Sequence, residues 1–273
     1  MSAVISNTGG TVRERIELFA LPGAVRLTTT ARQSGRAAAI SFFSLVALAQ
    51  FAFVIPFQRR GERRRARAAW LHRWCRVACR ILGLRVEVLG AIPHSGLLVA
   101  NHLSYLDIVA LSSLRPCVFI AKSEVARWPL FGLLARCGGS LFVERQRRTD
   151  AARVAQEMTK RLRDGELLVM FPEGTSSGGA SVLPFSSSLL APLEHLDCEV
   201  TAGALSYTLA RGSAADEVCY WRDMTLLPHL SHLFTIPQIE LRIAFAQPAV
   251  TRTDRKEMAR ELHDVVVRLK VPL

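Results

Sequence analysis

Ala37–Phe57 (AAAISFFSLVALAQFAFVIPF) runs for 21 residues without a charged side chain. As a helix it would reach about 31 Å, one hydrocarbon thickness of a bilayer. Arg59, Arg60, Arg63, Arg64 and Arg65 follow at once. An apolar run with an adjacent arginine cluster reads as a membrane anchor with a positive cytoplasmic flank. A full span and a re-entrant helix entering one leaflet both satisfy this pattern, and a buried core helix is a further reading because Gln50 and the serines soften the run. A signal peptide does not, because the run starts late and no small-residue cleavage site follows it.

Charge sharpens the division. The whole chain of 273 residues carries +12, yet residues 1–80 hold 14 arginines against 3 glutamates, a net +11. The remaining 193 residues are close to neutral. Such a block faces nucleic acid or anionic lipid. A nucleic-acid role leaves the uncharged run unexplained, so no nucleic-acid partner is expected. Ala66–Leu82 then sets Trp70, Trp74, Val77 and Ile81 at helical spacing among arginines, which reads as a basic amphipathic helix with interfacial aromatics at an anionic bilayer surface; a helix packed on the globular domain with a solvated basic face fits the spacing too. The organisation expected is a polar arm (1–36), two membrane-associating helices (37–82) and a catalytic domain (83–273).

Beyond Leu84 short apolar runs alternate with amphipathic stretches. Strands are expected at Arg85–Leu89, Leu97–Ala100, Cys117–Ala121, Ser140–Val143, Leu167–Phe171, Val200–Leu205 and Ile239–Phe245. Helices are expected at Tyr105–Leu114, Pro129–Cys137, Asp150–Arg163, Ser187–His195, Met224–Thr235 and Arg255–Lys270. This alternation implies an α/β fold, a mixed, largely parallel sheet covered by helices on both faces. The six cysteines form no CxxC pair and no Cys/His cluster with metal-ligand spacing. They read as reduced, buried thiols, and no metal is expected.

Sites in such sheets gather at the carboxyl ends of strands, and two strings lie there. Asn101-His102-Leu103-Ser104-Tyr105-Leu106-Asp107 follows one expected strand. Ser104 and Asp107 have capping-box spacing, which leaves His102 just outside the helix start with Asp107 in reach of one imidazole nitrogen. The other nitrogen is then free to act as a base; a plain helix cap fits the spacing too. Phe171-Pro172-Glu173-Gly174-Thr175 ends another strand, where Gly174 permits positive φ and exposes backbone N–H groups. Between them Gly139, Phe142 and Arg145 bring a guanidinium to a strand end, suited to a phosphate or to a surface salt bridge.

Taken jointly these segments resemble the glycerolipid acyltransferase family, typified by 1-acylglycerol-3-phosphate (lysophosphatidate) acyltransferases. Asn-His-x4-Asp is matched at Asn101, His102 and Asp107, Gly-x-x-Phe-x-x-Arg at Gly139, Phe142 and Arg145, and Phe-Pro-Glu-Gly-Thr at Phe171–Thr175. The family's fourth motif, a hydrophobic-Pro-hydrophobic strand end, departs here, with Ala202 in the proline's place. Ser186-Ser187-Ser188 stands where many relatives carry a lysine before two serines. Tyr220-Trp221-Arg222-Asp223-Met224 is similar to bacterial relatives that include lyso-ornithine-lipid acyltransferases.

The resemblance implies that His102, oriented by Asp107, deprotonates the hydroxyl of a lysolipid, which attacks acyl-CoA or acyl-carrier protein directly. Asn101, Gly139, Phe142, Arg145, Phe171, Pro172, Glu173, Gly174 and Thr175 would form the substrate-binding set. No cofactor is implied beyond the thioester co-substrate. The expected acceptor is lysophosphatidate, with lyso-ornithine lipid or a non-catalytic lipid-binding role as alternatives, and the expected place is the cytoplasmic face of a membrane.

Overall fold

The computed structural model describes residues 28–59, 61–128, 130–144, 147–250 and 254–270. The polar arm expected over 1–36 therefore lies outside the described residues up to 27. The elements in order are α1 (Thr29–Val54), α2 (Arg63–Leu82), β1 (Leu84–Leu89), β2 (Gly96–Ala100), α3 (Leu106–Leu114), β3 (Val118–Lys122) and α4 (Phe131–Gly138). There follow β4 (Leu141–Val143), α5 (Arg148–Arg163), β5 (Leu167–Met170), β6 (Val200–Thr208), α6 (Ala214–Glu217), α7 (Leu226–Leu233), β7 (Ile239–Ala246) and α8 (Arg255–Leu269).

The seven strands form one sheet in the order β1-β7-β6-β2-β5-β3-β4. Every neighbouring pair is parallel except β6 with β7. β2 lies fourth of the seven, and all five of its residues are buried. Burial on both faces removes the polar positions, so β2 and β5 read as continuous apolar runs. Alternate residues serve opposite faces: Leu98 and Ala100 join the core under α1, α2, α3 and α7, while Leu97 and Val99 join the core under α5 and α8.

All seven expected strands form, and five of the six expected helices. Ser187–His195 is instead a run of turns closing on one 3-10 turn, Ala191–Glu194. Its serine hydroxyls compete for backbone partners, as where the Ser188 amide donates to Ser186 Oγ at 3.5 Å, and Pro192 enters the turn without an amide hydrogen. Leu189, Leu190 and Leu193 are nonetheless fully buried, which explains the helix-like spacing.

The N-terminal helices correct a second expectation. Trp70 and Trp74 do not face outward as interfacial aromatics. The Trp70 indole N–H donates to Ala47 O at 3.0 Å and that of Trp74 to Gln50 Oε1 at 2.9 Å, fastening α2 to α1. The other side of α2 packs on α3 and α4, burying Leu71, Cys75, Cys79 and Leu82. Its arginines also serve the protein: Arg64 meets Asp164, Glu157 and Glu166, and Arg67 donates to the carbonyls of Cys137 and Arg136. Arg32 donates to Thr235 O at 2.8 Å and Arg36 to Pro237 O at 2.9 Å, holding the start of α1 beyond the end of α7. Both helices thus share one core with the sheet, and Gly83, left-handed at φ 68, is a helix cap running straight into β1.

From Phe42 onward, what remains uncovered on α1 is apolar. Phe42, Leu45, Phe53 and, just past the helix, Phe57 are 61–83 % exposed, and the stretch Thr29–Phe57 is long and apolar enough to cross a membrane.

Candidate active site

The parallel pairing of β2 with β5 sets their carboxyl ends side by side, in register from Gly96↔Leu167 to Val99↔Met170. Each motif string leaves the sheet at that edge. The His102 ring therefore lies flat on the Phe171 ring, centroids 4.2 Å apart and planes 12° from parallel. Two backbone contacts join the strings: the Ser177 amide donates to His102 O at 3.0 Å, and the His102 amide donates to Glu173 Oε1 at 3.2 Å.

Asp107, on the first turn of α3, is fully buried, whereas the His102 side chain is 21 % exposed. Four donors converge on the carboxylate. Oδ2 accepts from His102 Nδ1 at 2.7 Å, from the Leu103 amide at 2.7 Å and from the Ser104 amide at 3.0 Å; Oδ1 accepts from the Tyr207 hydroxyl at 2.7 Å. This network assigns the proton to Nδ1 and leaves the Nε2 lone pair free. The capping box is half formed. Asp107 reaches back to the Ser104 amide, but Ser104 Oγ is buried without a partner, and Tyr105 stands at the N-cap position.

His102 opens onto a cavity of about 400 Å³ between the sheet and α1, α2, α3 and α4. Its lining is mostly apolar, from Phe43 and Ala47 on α1 through Trp74 on α2 to Val109 on α3 and Leu134 on α4. Phe171, Gly174 and Thr175 line it too, together with Lys122 and the Tyr220–Arg222 segment; among the described residues no Asp or Glu does. One end of this slot is thus an imidazole nitrogen, and the rest has the polarity of a hydrocarbon chain.

The other expected binding residues divide. Asn101 is 1 % exposed, and its side-chain amide donates to Leu205 O at 3.1 Å while accepting from the Leu205 amide at 2.7 Å. It extends the β2–β6 ladder by one side chain and does not face the cavity, a correction to its expected place. Gly139 is the left-handed cap of α4 (φ 88), and Phe142 sits half-buried in β4 opposite Ala121; neither lines the cavity. Pro172 is buried, and its carbonyl accepts from the Ser186 amide. Arg145 lies outside the described residues.

Glu173 lies behind His102 rather than in the cavity. Burial pushes its carboxyl up to about 7 from the usual 4.5, and the Asp107 charge adds to this; the His102 and Leu183 amides and the Lys270 ammonium oppose it. Its Oε2 is buried without a hydrogen bond. The folded chain therefore retains a proton that the unfolded chain releases, so this group's contribution is full below about 4.5 and is lost as pH rises through about 7. Glu173→Gln should remove that loss. Its unfolding temperature relative to wild type should climb from pH 5 to 8, by the equivalent of about 1–2 kcal/mol; a constant offset would contradict the assignment.

Tyr207 was not apparent from the sequence. It sits near the end of β6, 100 residues beyond Asp107, and only the β2–β6 pairing brings it there. An isolated tyrosine in an apolar run carries no signal of such a partner.

The family model for "Acyltransferase" matches residues 84–205, the span from β1 into β6. The lyso-ornithine lipid O-acyltransferase of Rhizobium meliloti is 38 % identical over 208 residues, 70 % of this chain and 71 % of that protein. That of Brucella abortus is 35 % identical over 78 % of this chain and 86 % of its own length. A 1-acyl-sn-glycerol-3-phosphate acyltransferase of Neisseria gonorrhoeae is 34 % identical over 49 % of this chain and 56 % of its own. Among solved structures, the 1-acyl-sn-glycerophosphate acyltransferase of Thermotoga maritima shares the fold, with a TM-score of 0.63 over 88 % of this chain and 92 % of that one, at 20 % identity. With these relatives matched along most of their length and the motifs drawn together at one strand edge, the chain belongs to the glycerolipid acyltransferase family.

Proposed function

We propose that the protein transfers a fatty acyl group from acyl-CoA or acyl-carrier protein to the free hydroxyl of a lysolipid. The observation that carries this is the His102–Asp107 pair at the end of an apolar cavity closed by α1 and α2. His102 Nε2 takes the hydroxyl proton as the acceptor oxygen attacks the thioester carbonyl. The new C–O bond forms, the C–S bond breaks, and the proton passes from the imidazolium to the departing thiolate. Asp107 holds the imidazole in one tautomer and balances its transient charge. Glu173 orders the His102 backbone, Gly174 and Thr175 border the reacting groups, and Arg145 meets an anion of the substrate. The acid–base pair and the thioester supply the whole reaction, so no metal or resident cofactor is required.

Two acceptors fit, lysophosphatidate and lyso-ornithine lipid. The relatives matched over the larger share of this chain are named for the second, which favours it. The exposed apolar side of α1 supports attachment to a membrane, with the catalytic domain on the cytoplasmic side where both thioesters are dissolved. The test offers the purified full chain lysophosphatidate, lyso-ornithine lipid and a neutral monoacylglycerol, each with acyl-CoA and with acyl-carrier protein. We expect acylation of a lysolipid whose head group carries a carboxylate or phosphate, fastest for lyso-ornithine lipid. Turnover of none of them would overturn the reading.

A further inference from the structure

Among the described residues only two non-glycine residues have a positive φ, Leu130 (φ 56) and Arg222 (φ 54). Both line the cavity onto which His102 opens. Such a conformation is disfavoured for any residue with a side chain, and it persists where surrounding contacts fix the backbone.

The contacts around Arg222 are specific. Two residues before it, the Tyr220 amide donates to Leu103 O at 2.8 Å, beside His102, while Ser176 Oγ, beside Thr175, donates to Tyr220 O. The Trp221 indole N–H donates to Ala215 O at 2.8 Å. Its ring lies so close to Gly178 that a Cβ there would stand 2.5 Å from Cζ2. The Arg222 guanidinium carbon lies 3.8 Å from the centroid of that ring. Stacking leaves the N–H edges of a guanidinium free to form a planar fork. Among the described residues Arg222 has no hydrogen bond or ion pair, and the cavity lining holds no carboxylate to neutralise it.

We propose that Arg222 is an anion-binding residue for the acceptor, gripping the carboxylate or phosphate of its head group while His102 acts on the hydroxyl. This rests on the reading of the chain as a lysolipid acyltransferase. The acceptor, rather than the donor, follows from reach. The phosphates of coenzyme A, or of a carrier protein's prosthetic arm, lie beyond the pantetheine chain from the reacting carbonyl. The anion of a lysolipid is only a few bonds from its hydroxyl. A cation that lines the same cavity, two residues beyond a Tyr220 amide tied to the residue following His102, suits the second. A planar fork fits carboxylate and phosphate alike.

The test is Arg222→Gly and Arg222→Gln in the full chain. Glycine also relieves the left-handed backbone, so the first variant should unfold no earlier than wild type. Rates and equilibrium binding are measured in neutral detergent micelles with lyso-ornithine lipid and lysophosphatidate, and binding to vesicles rich in anionic lipid is measured separately. We expect the KM and Kd of either acceptor to rise at least tenfold in both variants, with the KM for the thioester changed less than twofold. An unchanged acceptor KM would overturn the proposal while leaving the function standing. So would a rise confined to the thioester KM, or a loss confined to vesicle binding, which would make Arg222 a bilayer contact. A wild-type chain that neither binds nor acylates any lysolipid would overturn the functional reading and this inference with it.

Discussion

His102→Ala lowers acyl transfer by about 10²–10⁴-fold, the range supplied by a positioned general base, and leaves the fold in place. Three features lead to this expectation. The imidazole is the one basic nitrogen held at the end of the cavity by a buried carboxylate, with Nδ1 fixed and Nε2 open. Its ring is partly exposed and contributes a single stack, on Phe171. The contacts joining the two loops use the His102 backbone amide and carbonyl, which alanine retains. The stability cost is therefore that of one aromatic contact and one of the four hydrogen bonds to Asp107, about 2–4 kcal/mol. His102→Gln, closer in volume, should lose turnover equally, since an amide is no base. Initial rates at saturating acceptor and thioester, with unfolding temperatures alongside, check both variants. More than a tenth of wild-type turnover in either would remove His102 from the role of base.

The sheet was legible because β2, β5 and β6 are buried on both faces and so appear as near-unbroken apolar runs, while β1 and β7 alternate buried apolar with more open polar residues. The motifs were legible because each sits where such a run ends. Contacts across the sheet were not. The stack of His102 on Phe171 depends on β2 lying beside β5, and the Tyr207 bond to Asp107 depends on β6 lying on the other side of β2. Periodicity reports which face a residue takes, not which strand is its neighbour. Asn101 misled for a related reason: a polar residue beside a catalytic-looking histidine suggests ligand contact, yet its amide has the donor and acceptor needed to continue a backbone ladder. The arginines and tryptophans of α2 misled more broadly. Composition describes a basic aromatic helix equally well whether its indoles face lipid or fasten α1, and carbonyls at loop ends attract arginine as readily as lipid phosphates do.

Asp107→Asn separates the chemical use of this pair from its structural one. Four donors and no acceptor surround the carboxylate. An asparagine can place its oxygen toward the three donors at Oδ2 and its NH2 toward Tyr207, whose hydroxyl can rotate and accept. Every hydrogen bond is then kept, and the stability loss should stay near 1–2 kcal/mol. Asp107→Ala, by contrast, strands all four donors in a buried site and should cost about 3–5 kcal/mol. What asparagine cannot supply is the negative charge beside an imidazole that becomes an imidazolium in the transition state. Turnover should therefore fall by about 10²–10⁴-fold while acceptor KM stays near the wild-type value. Tyr207→Phe removes one of four donors and keeps the charge, so its loss should be nearer tenfold. The order of losses in kcat, His102→Ala and Asp107→Asn together and Tyr207→Phe well behind, is the signature of a charge used in the transition state. If Asp107→Asn kept more than a tenth of wild-type kcat, the carboxylate would be a helix-start device with a histidine beside it, and the free Nε2 would owe its position to Phe171 alone.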